Sequence, residues 1–230
     1  MSAVGETAVE AGAAPPVTAL VEAAHVLAGL GLVTAFGHVS VRHDESVLIT
    51  PPKELDLVDP DELVEIPLAA DELPLGTPPE AWGHLAVYRA RPDVMAVARA
   101  QPEAVLAAGV VTDRITPLHG QAAWLGASIP VHDDARLLRS AALAERAART
   151  LGDSDALVLR GNGALTVGAA PGLAVTRMWL LDAACRMHLA AHAAGGVTTL
   201  NPEEIAAWRA AAPPLLERLW AHLRRTAGTA

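Results

Sequence analysis

The sequence predicts an α/β or α+β fold, a single layer of short strands covered by helices. Three observations predict it. Short β-type runs at 38–42, 47–50, 63–66, 94–98, 156–159 and 164–167 are interspersed with longer stretches whose apolar residues recur at helical spacing. The chain has 230 residues, 52% of them apolar, which suffices for one sizeable core. No internal repeat and no second domain is visible.

The elements follow in order. Residues 1–16 are small, polar or proline and read as a flexible tail. From Val17 the residues Leu20, Val21, Ala24, Leu27 and Ala28 mark a helix stopped by Gly29 and Gly31. The runs His38–Arg42 and Val47–Thr50, joined by His43-Asp44-Glu45-Ser46, read as a β-hairpin. Asp59-Pro60-Asp61-Glu62 is a helix-start signal before a strand-like Leu63–Ile66. A helix should run from Glu80 to Arg91 and close at Pro92, followed by a buried strand from Val94 to Ala98. A helix from Pro102 to about Ala108 precedes a loop, and another helix spans about Arg139–Leu151. Gly161-Asn162-Gly163 signals a tight turn between strands Ala156–Leu159 and Ala164–Val167. A long helix is expected from about Pro171 to Ala194. After Gly195-Gly196, Asn201-Pro202-Glu203-Glu204 opens one last helix, a C-terminal extension over 198–230 of the domain at 17–197.

Composition narrows the function. Acidic residues number 26 against 17 basic ones, a net charge of -9, which disfavours nucleic-acid phosphates as partners. No apolar run is long enough for a membrane span. One cysteine, Cys185, excludes an intrachain disulfide and a multi-cysteine zinc site. The first residues carry Glu6 and Glu10 and no basic residue, unlike a secretory signal, so the expected compartment is the cytoplasm.

Several segments taken together resemble the class II aldolase/adducin family over roughly Val17 to Gly196. They are Gly29–Val33 with Phe36-Gly37-His38-Val39-Ser40-Val41-Arg42, then Leu48-Ile49-Thr50-Pro51, and Asp59–Val64. Glu80 and His84 with Tyr88-Arg89-Ala90-Arg91-Pro92-Asp93-Val94 form the fourth, and Ala156–Gly168 the fifth. The resemblance implies a central, mainly antiparallel sheet covered by helices and a homotetramer with active sites between subunits. It also implies lyase chemistry, in which a divalent metal such as zinc, held by three histidines, stabilises an enolate while a glutamate moves the proton.

Glu80 matches that glutamate. The histidine positions instead hold Arg99, Gln101 and Asn162. A guanidinium cannot coordinate a metal, and amide oxygens alone are poor zinc ligands, so no metal and no other cofactor is expected. Pro78, Pro79 and His38 replace groups of the family's phosphate pocket, which argues against a sugar phosphate. The Phe36–Arg42 segment and Pro117-Leu118-His119-Gly120-Gln121 look closer to the branch acting on carboxylated or aromatic compounds, decarboxylases included.

The expected function is therefore metal-independent lyase chemistry, aldol-type or decarboxylating, on a small oxo- or hydroxy-carboxylic acid. Glu80 and Arg99 would be catalytic, with Gln101 and Asn162 helping to hold the oxyanion and His38, His84 and His119 orienting the substrate. An isomerase, cyclase or dehydratase using the same pocket is an alternative, as is a non-catalytic binding or assembly protein. Each residue has a bland alternative too. Glu80 suits a helix start electrostatically, and Glu80 and His84 at i,i+4 could be a structural pair. Arg99 could simply pair with Glu80 or Glu103. Asn162 could hold a turn that needs positive φ. Trp82 and Trp124 read as packing rather than pocket walls, and Cys185 as inert core.

Overall fold

The structure of the protein, a computed structural model, describes residues 16–228. The expected tail lies outside the described residues except for Pro16, which opens helix α1 (Pro16–Gly29). Strands β1 (His38–His43) and β2 (Ser46–Ile49) form the expected hairpin, with Asp44 at φ 53° in its turn. The Asp59 signal starts only a short 3₁₀ turn, Pro60–Glu62, closed by Glu62 accepting from the Asp59 backbone at 2.9 Å. Next come β3 (Val64–Pro67), α2 (Ala81–Ala90), β4 (Ala96–Ala100) and α3 (Glu103–Val111).

β4 starts two residues later than the sequence predicts. Val94 still bonds back to the Arg91 carbonyl at 3.1 Å, so the chain is turning where its apolar character suggested a strand. Arg99 consequently stands inside the strand. The expected loop after α3 contains β5 (Arg114–Ile115), α4 (Gly120–Ala123) and β6 (Ile129–His132), elements too short to show a period. Then follow α5 (Ala141–Leu151), β7 (Ala156–Leu159), β8 (Gly163–Gly168) and the long α6 (Pro171–Ala194), all close to expectation. The single last helix is in fact two, α7 (Pro202–Ala210) and α8 (Ala212–Ala227). Pro213 and Pro214 lack the N–H groups needed to continue α7, so the chain redirects at Ala211 and uses them as the first turn of α8.

The strands form one sheet in the order β3-β2-β1-β4-β8-β7-β6-β5, in which only the β6–β7 pair is parallel. Its two faces carry two aliphatic layers. One packs against α1, α3, α6 and α8 and includes Ala96, Ala98 and Ala100, whose small side chains let α6 approach the sheet. Leu216 and Leu223 of α8 join this layer, which ties the C-terminal helices to the same core. The other layer lies under α2 and α5 and includes Val97, Leu157, Leu165 and Val167. Strand side chains alternate between faces, so Arg99 shares the α2 side with Val97. Among the described residues no helix is long and apolar enough to cross a membrane.

Candidate active site

Four segments bring the candidate residues together on the α2 side of the sheet. His38 of β1 lies opposite Arg99 of β4 in the strand register, and Ser40 follows opposite Val97. Arg99 in turn pairs with Leu165 of β8, next to the β7–β8 turn that carries Asn162. α2 supplies Glu80 at its start, His84 one turn on and Tyr88 a turn later. His38, Glu80, His84, Arg99 and Asn162 are all buried.

The turn at Asn162 corrects one expectation. The positive φ values belong to Gly161 (67°) and Gly163 (84°), not to Asn162. A Cβ on Gly163 would collide with the Ala100 carbonyl oxygen and the Gln101 Cα, so only glycine lets this turn lie against the end of β4. Asn162 is thereby free to present its side chain to that strand.

Its side-chain oxygen accepts two hydrogen bonds, from Arg99 Nη2 at 2.8 Å and from Gln101 Nε2 at 3.1 Å. Arg99 thus has an amide partner, and neither Glu80 nor Glu103 makes the ion pair that the alternative reading required. Glu80 Oε1 instead accepts from Arg139 Nε at 2.8 Å. Arg139 precedes α5 and has no local sequence signal as a site residue, because nothing distinguishes it from its neighbours Arg136 and Arg146. Ser40 and Tyr88 stand in the sequence only as members of the family-like segments. In the structure Ser40 Oγ lies 2.7 Å from His84 Nδ1 and 2.8 Å from the Tyr88 hydroxyl.

Charge and burial set the protonation states. Burial, then the Arg99 charge, pushes His38 down to about 4, against the opposing pull of Glu80 and Thr50. Burial also holds His84 well below the usual histidine range, with His38 and Arg99 acting in the same direction. Both imidazoles are neutral at pH 7. Burial pushes the Glu80 carboxyl up, but hydrogen bonds from Arg139 and its own backbone, with the Arg99 and Arg139 charges, bring it below its ordinary value. Arg99 is lowered by burial and by Arg139, partly offset by Glu80, yet a guanidinium stays charged.

The donor set does not fit a divalent cation. Of the two amide oxygens at the matched ligand positions, that of Asn162 is taken by two N–H donors, and that of Gln101 alone is a poor ligand. Arg99 Nε and Asn162 Nδ2 are buried donors without a partner, as is His84 Nε2 if it carries the ring hydrogen. Unmet buried donors call for an acceptor, and an anionic oxygen satisfies them where a cation would be repelled. Among the described residues no group of three or more His, Cys, Asp or Glu could hold a metal ion.

The other expected residues make no hydrogen bond to this cluster. His119 occupies the N-cap position of α4 without a side-chain capping bond, and burial lowers its pKa. Trp82 lies by Arg89 and Trp124 by Trp208, both in packing contacts. The Cys185 thiol, pushed up to about 12 by burial, is inert. A cavity of about 630 Å³ between α1, the start of α6 and α8 lies at the opposite end of β8 from Asn162.

The sheet order and the placement of α2 define a class II aldolase-type fold. L-fuculose 1-phosphate aldolase from Glaciozyma antarctica PI12 superposes with a TM-score of 0.78 at 18% identity, covering 92% of this chain and 88% of that one. Residues 18–189 match the Class II Aldolase and Adducin N-terminal domain, and the chain belongs to that family. It is similar to 3,4-dihydroxyphthalate decarboxylase of Terrabacter sp. (strain DBF63), 32% identical over 87% of this chain and 92% of that protein. The enzyme of the same name from Rhodococcus jostii (strain RHA1) is 30% identical over 76% of this chain and 79% of its own length.

Proposed function

We propose that the chain is a lyase that decarboxylates a small hydroxy-substituted aromatic carboxylic acid without a divalent metal. The observation that carries this reading is the group of buried, unpartnered N–H donors, Arg99 Nε and Asn162 Nδ2, close to an ionised Glu80. The names of the relatives support an aromatic dicarboxylate as the substrate class.

The chemistry follows from these groups. Glu80 takes the proton of a hydroxyl ortho to the departing carboxylate and delivers it to the ring carbon that bears that carboxylate. The hydroxyl oxygen becomes a carbonyl as the ring loses aromaticity. The C–C bond then breaks, carbon dioxide leaves, and the bonding pair returns through the ring to the oxygen as a phenolate, which takes a proton from water. Negative charge develops on that oxygen, where Arg99 and Asn162 stabilise it, and Gln101 holds Asn162 in position. His38 and His84, both neutral, orient the substrate. His119 is not joined to this set and is given no step. A homotetramer located in the cytoplasm completes the reading.

The test is incubation with 3,4-dihydroxyphthalate in the presence of a chelator, with carbon dioxide and the monocarboxylic acid measured. Release of both in equal amounts supports the proposal. A product of unchanged mass points to an isomerase. Saturable binding without turnover points to a binding protein, and either result overturns the decarboxylase reading.

A further inference from the structure

Ser40, His84 and Tyr88 form a hydrogen-bonded chain in the interior, with Ser40 and His84 wholly buried and Tyr88 nearly so. Its free end is His84 Nε2, which is buried and without a partner. His84 is neutral, so one ring nitrogen carries the hydrogen and the other a lone pair.

Three arrangements of the hydrogens are possible. In the first, the Tyr88 hydroxyl donates to Ser40 Oγ and the Ser40 hydroxyl donates to His84 Nδ1. The imidazole hydrogen then sits on Nε2. In the second, His84 Nδ1 donates to Ser40 and Ser40 donates to the Tyr88 oxygen. The Tyr88 hydrogen then has no acceptor among the described residues, since Ser40 is the one hydrogen-bond partner of that hydroxyl. In the third, His84 Nδ1 and the Tyr88 hydroxyl both donate to Ser40 Oγ, and the Ser40 hydrogen is left without an acceptor. The second and third arrangements each leave one more buried polar group unmet, so the first prevails. Arg42 holds the far end of the chain, donating to the Tyr88 carbonyl at 2.7 Å with its guanidinium 5.2 Å from the ring centre.

We propose that Tyr88 and Ser40 are positioning residues that hold His84 as the Nε2–H tautomer, making it an uncharged hydrogen-bond donor to an anionic oxygen of the substrate and not a proton acceptor in the reaction. His84 then complements Arg99 Nε and Asn162 Nδ2, and the site selects ligands rich in acceptor oxygens. The identity of that oxygen rests on the decarboxylase reading; the tautomer does not.

The test uses the full chain labelled with ¹⁵N-histidine, the His84 signals being assigned by their loss in His84→Gln. The expected spectrum has a protonated Nε2 and an unprotonated Nδ1 that do not titrate between about pH 5.5 and 8. Tyr88→Phe, or Ser40→Ala if that variant fails to fold, should produce a mixture of tautomers. Phthalate, an unreactive dianion, should shift the Nε2 signal. An Nδ1–H tautomer, or titration in that range, overturns the assignment, and a signal unmoved by millimolar phthalate overturns the donor role.

Turnover supplies a separate readout. His84→Phe should lower kcat by about 100-fold with KM little changed, whereas His84→Gln, whose amide can still donate from nearly the Nε2 position, should lose about tenfold less. Equal losses in the two variants would mean that His84 is a base. If 3,4-dihydroxyphthalate is not turned over at all, the decarboxylase reading fails while the spectra still decide the tautomer and the phthalate contact.

Discussion

The Arg99 guanidinium donates to the Asn162 side-chain oxygen at 2.8 Å, although the two residues are 63 positions apart in the chain. Two positions that the family resemblance matches to metal ligands thus hold each other, and Gln101, at the third, donates to the same oxygen. The Asn162 oxygen that could have faced a metal is engaged, and Arg99 Nε and Asn162 Nδ2 beside it are unpartnered N–H donors. The purified protein should therefore contain no stoichiometric divalent metal, and a chelator should leave its melting temperature unchanged. Elemental analysis finding about one equivalent of zinc or manganese per chain would contradict this.

The same bond depends on the turn that presents Asn162. Gly163 has φ 84° and no room for a Cβ against the Ala100 carbonyl. Gly163→Ala should cost about 1–3 kcal/mol from backbone strain alone, with more from the collision, and it should weaken ligand binding because Asn162 is displaced. Gly31 also has positive φ, at 67°, but open space around it, so Gly31→Ala serves as the control. Equal melting temperatures for the two variants would show that the close approach at Gly163 is unimportant.

Much of the fold was legible because its signals are local. The hairpin at β1–β2 shows alternation around a polar turn, and α6 is bracketed by Pro171 and Gly195. The candidate site was legible in part, through Glu80 and Asn162 in the family-like segments and Arg99 at a position matched to a metal ligand. Partner choice was not, because it is decided across the sheet. Arg139 meets Glu80 from 59 positions away in the chain, and the apolar Val94 and Met95 hid the turn that moves β4 by two residues. The flanking glycines made Asn162 look like a turn residue when they are what frees it.

Arg139 holds Glu80 below its ordinary carboxyl value of 4.5. A carboxyl depressed by folding contributes stability in full above its unfolded pKa, and that contribution is lost as pH falls through the lower folded value. Removing Arg139 raises the folded value, so Arg139→Gln should begin to unfold at higher pH on acidification, and the acid limb of its activity profile should move up. Arg139 is more than half exposed, so the loss near neutrality should be small, about 1 kcal/mol or less, and weaker in high salt. Identical acid limbs for both proteins would show that the pair does not tune Glu80.

The isolated chain should be a tetramer at micromolar concentration. Family membership motivates this, as do large apolar side chains left exposed on one chain: Phe36 at 66%, Val110 at 64% and Val111 at 65%. Light scattering that shows a stable species of 23.8 kDa would refute it.

Arg99 is the residue on which the enzymatic reading rests most. It is 3% exposed, its charge is not neutralised by a direct carboxylate partner, and its Nε is unmet. Keeping such a cation buried is costly unless an anion joins it, which is what a substrate carboxylate or phenolate would do. Arg99→Ala should weaken binding of phthalate by about 2–5 kcal/mol, as expected when a buried hydrogen-bonded charge pair is broken. Arg99→Lys keeps the charge but loses the planar fork, so it should fall between the two. A purely structural Arg99 gives another pattern. Affinity is then unchanged in the folded Arg99→Ala protein, and the loss appears in stability, where adding Asn162→Ala costs little more because the two share one hydrogen bond. Titration of phthalate against the variants, alongside their melting temperatures, separates the two outcomes.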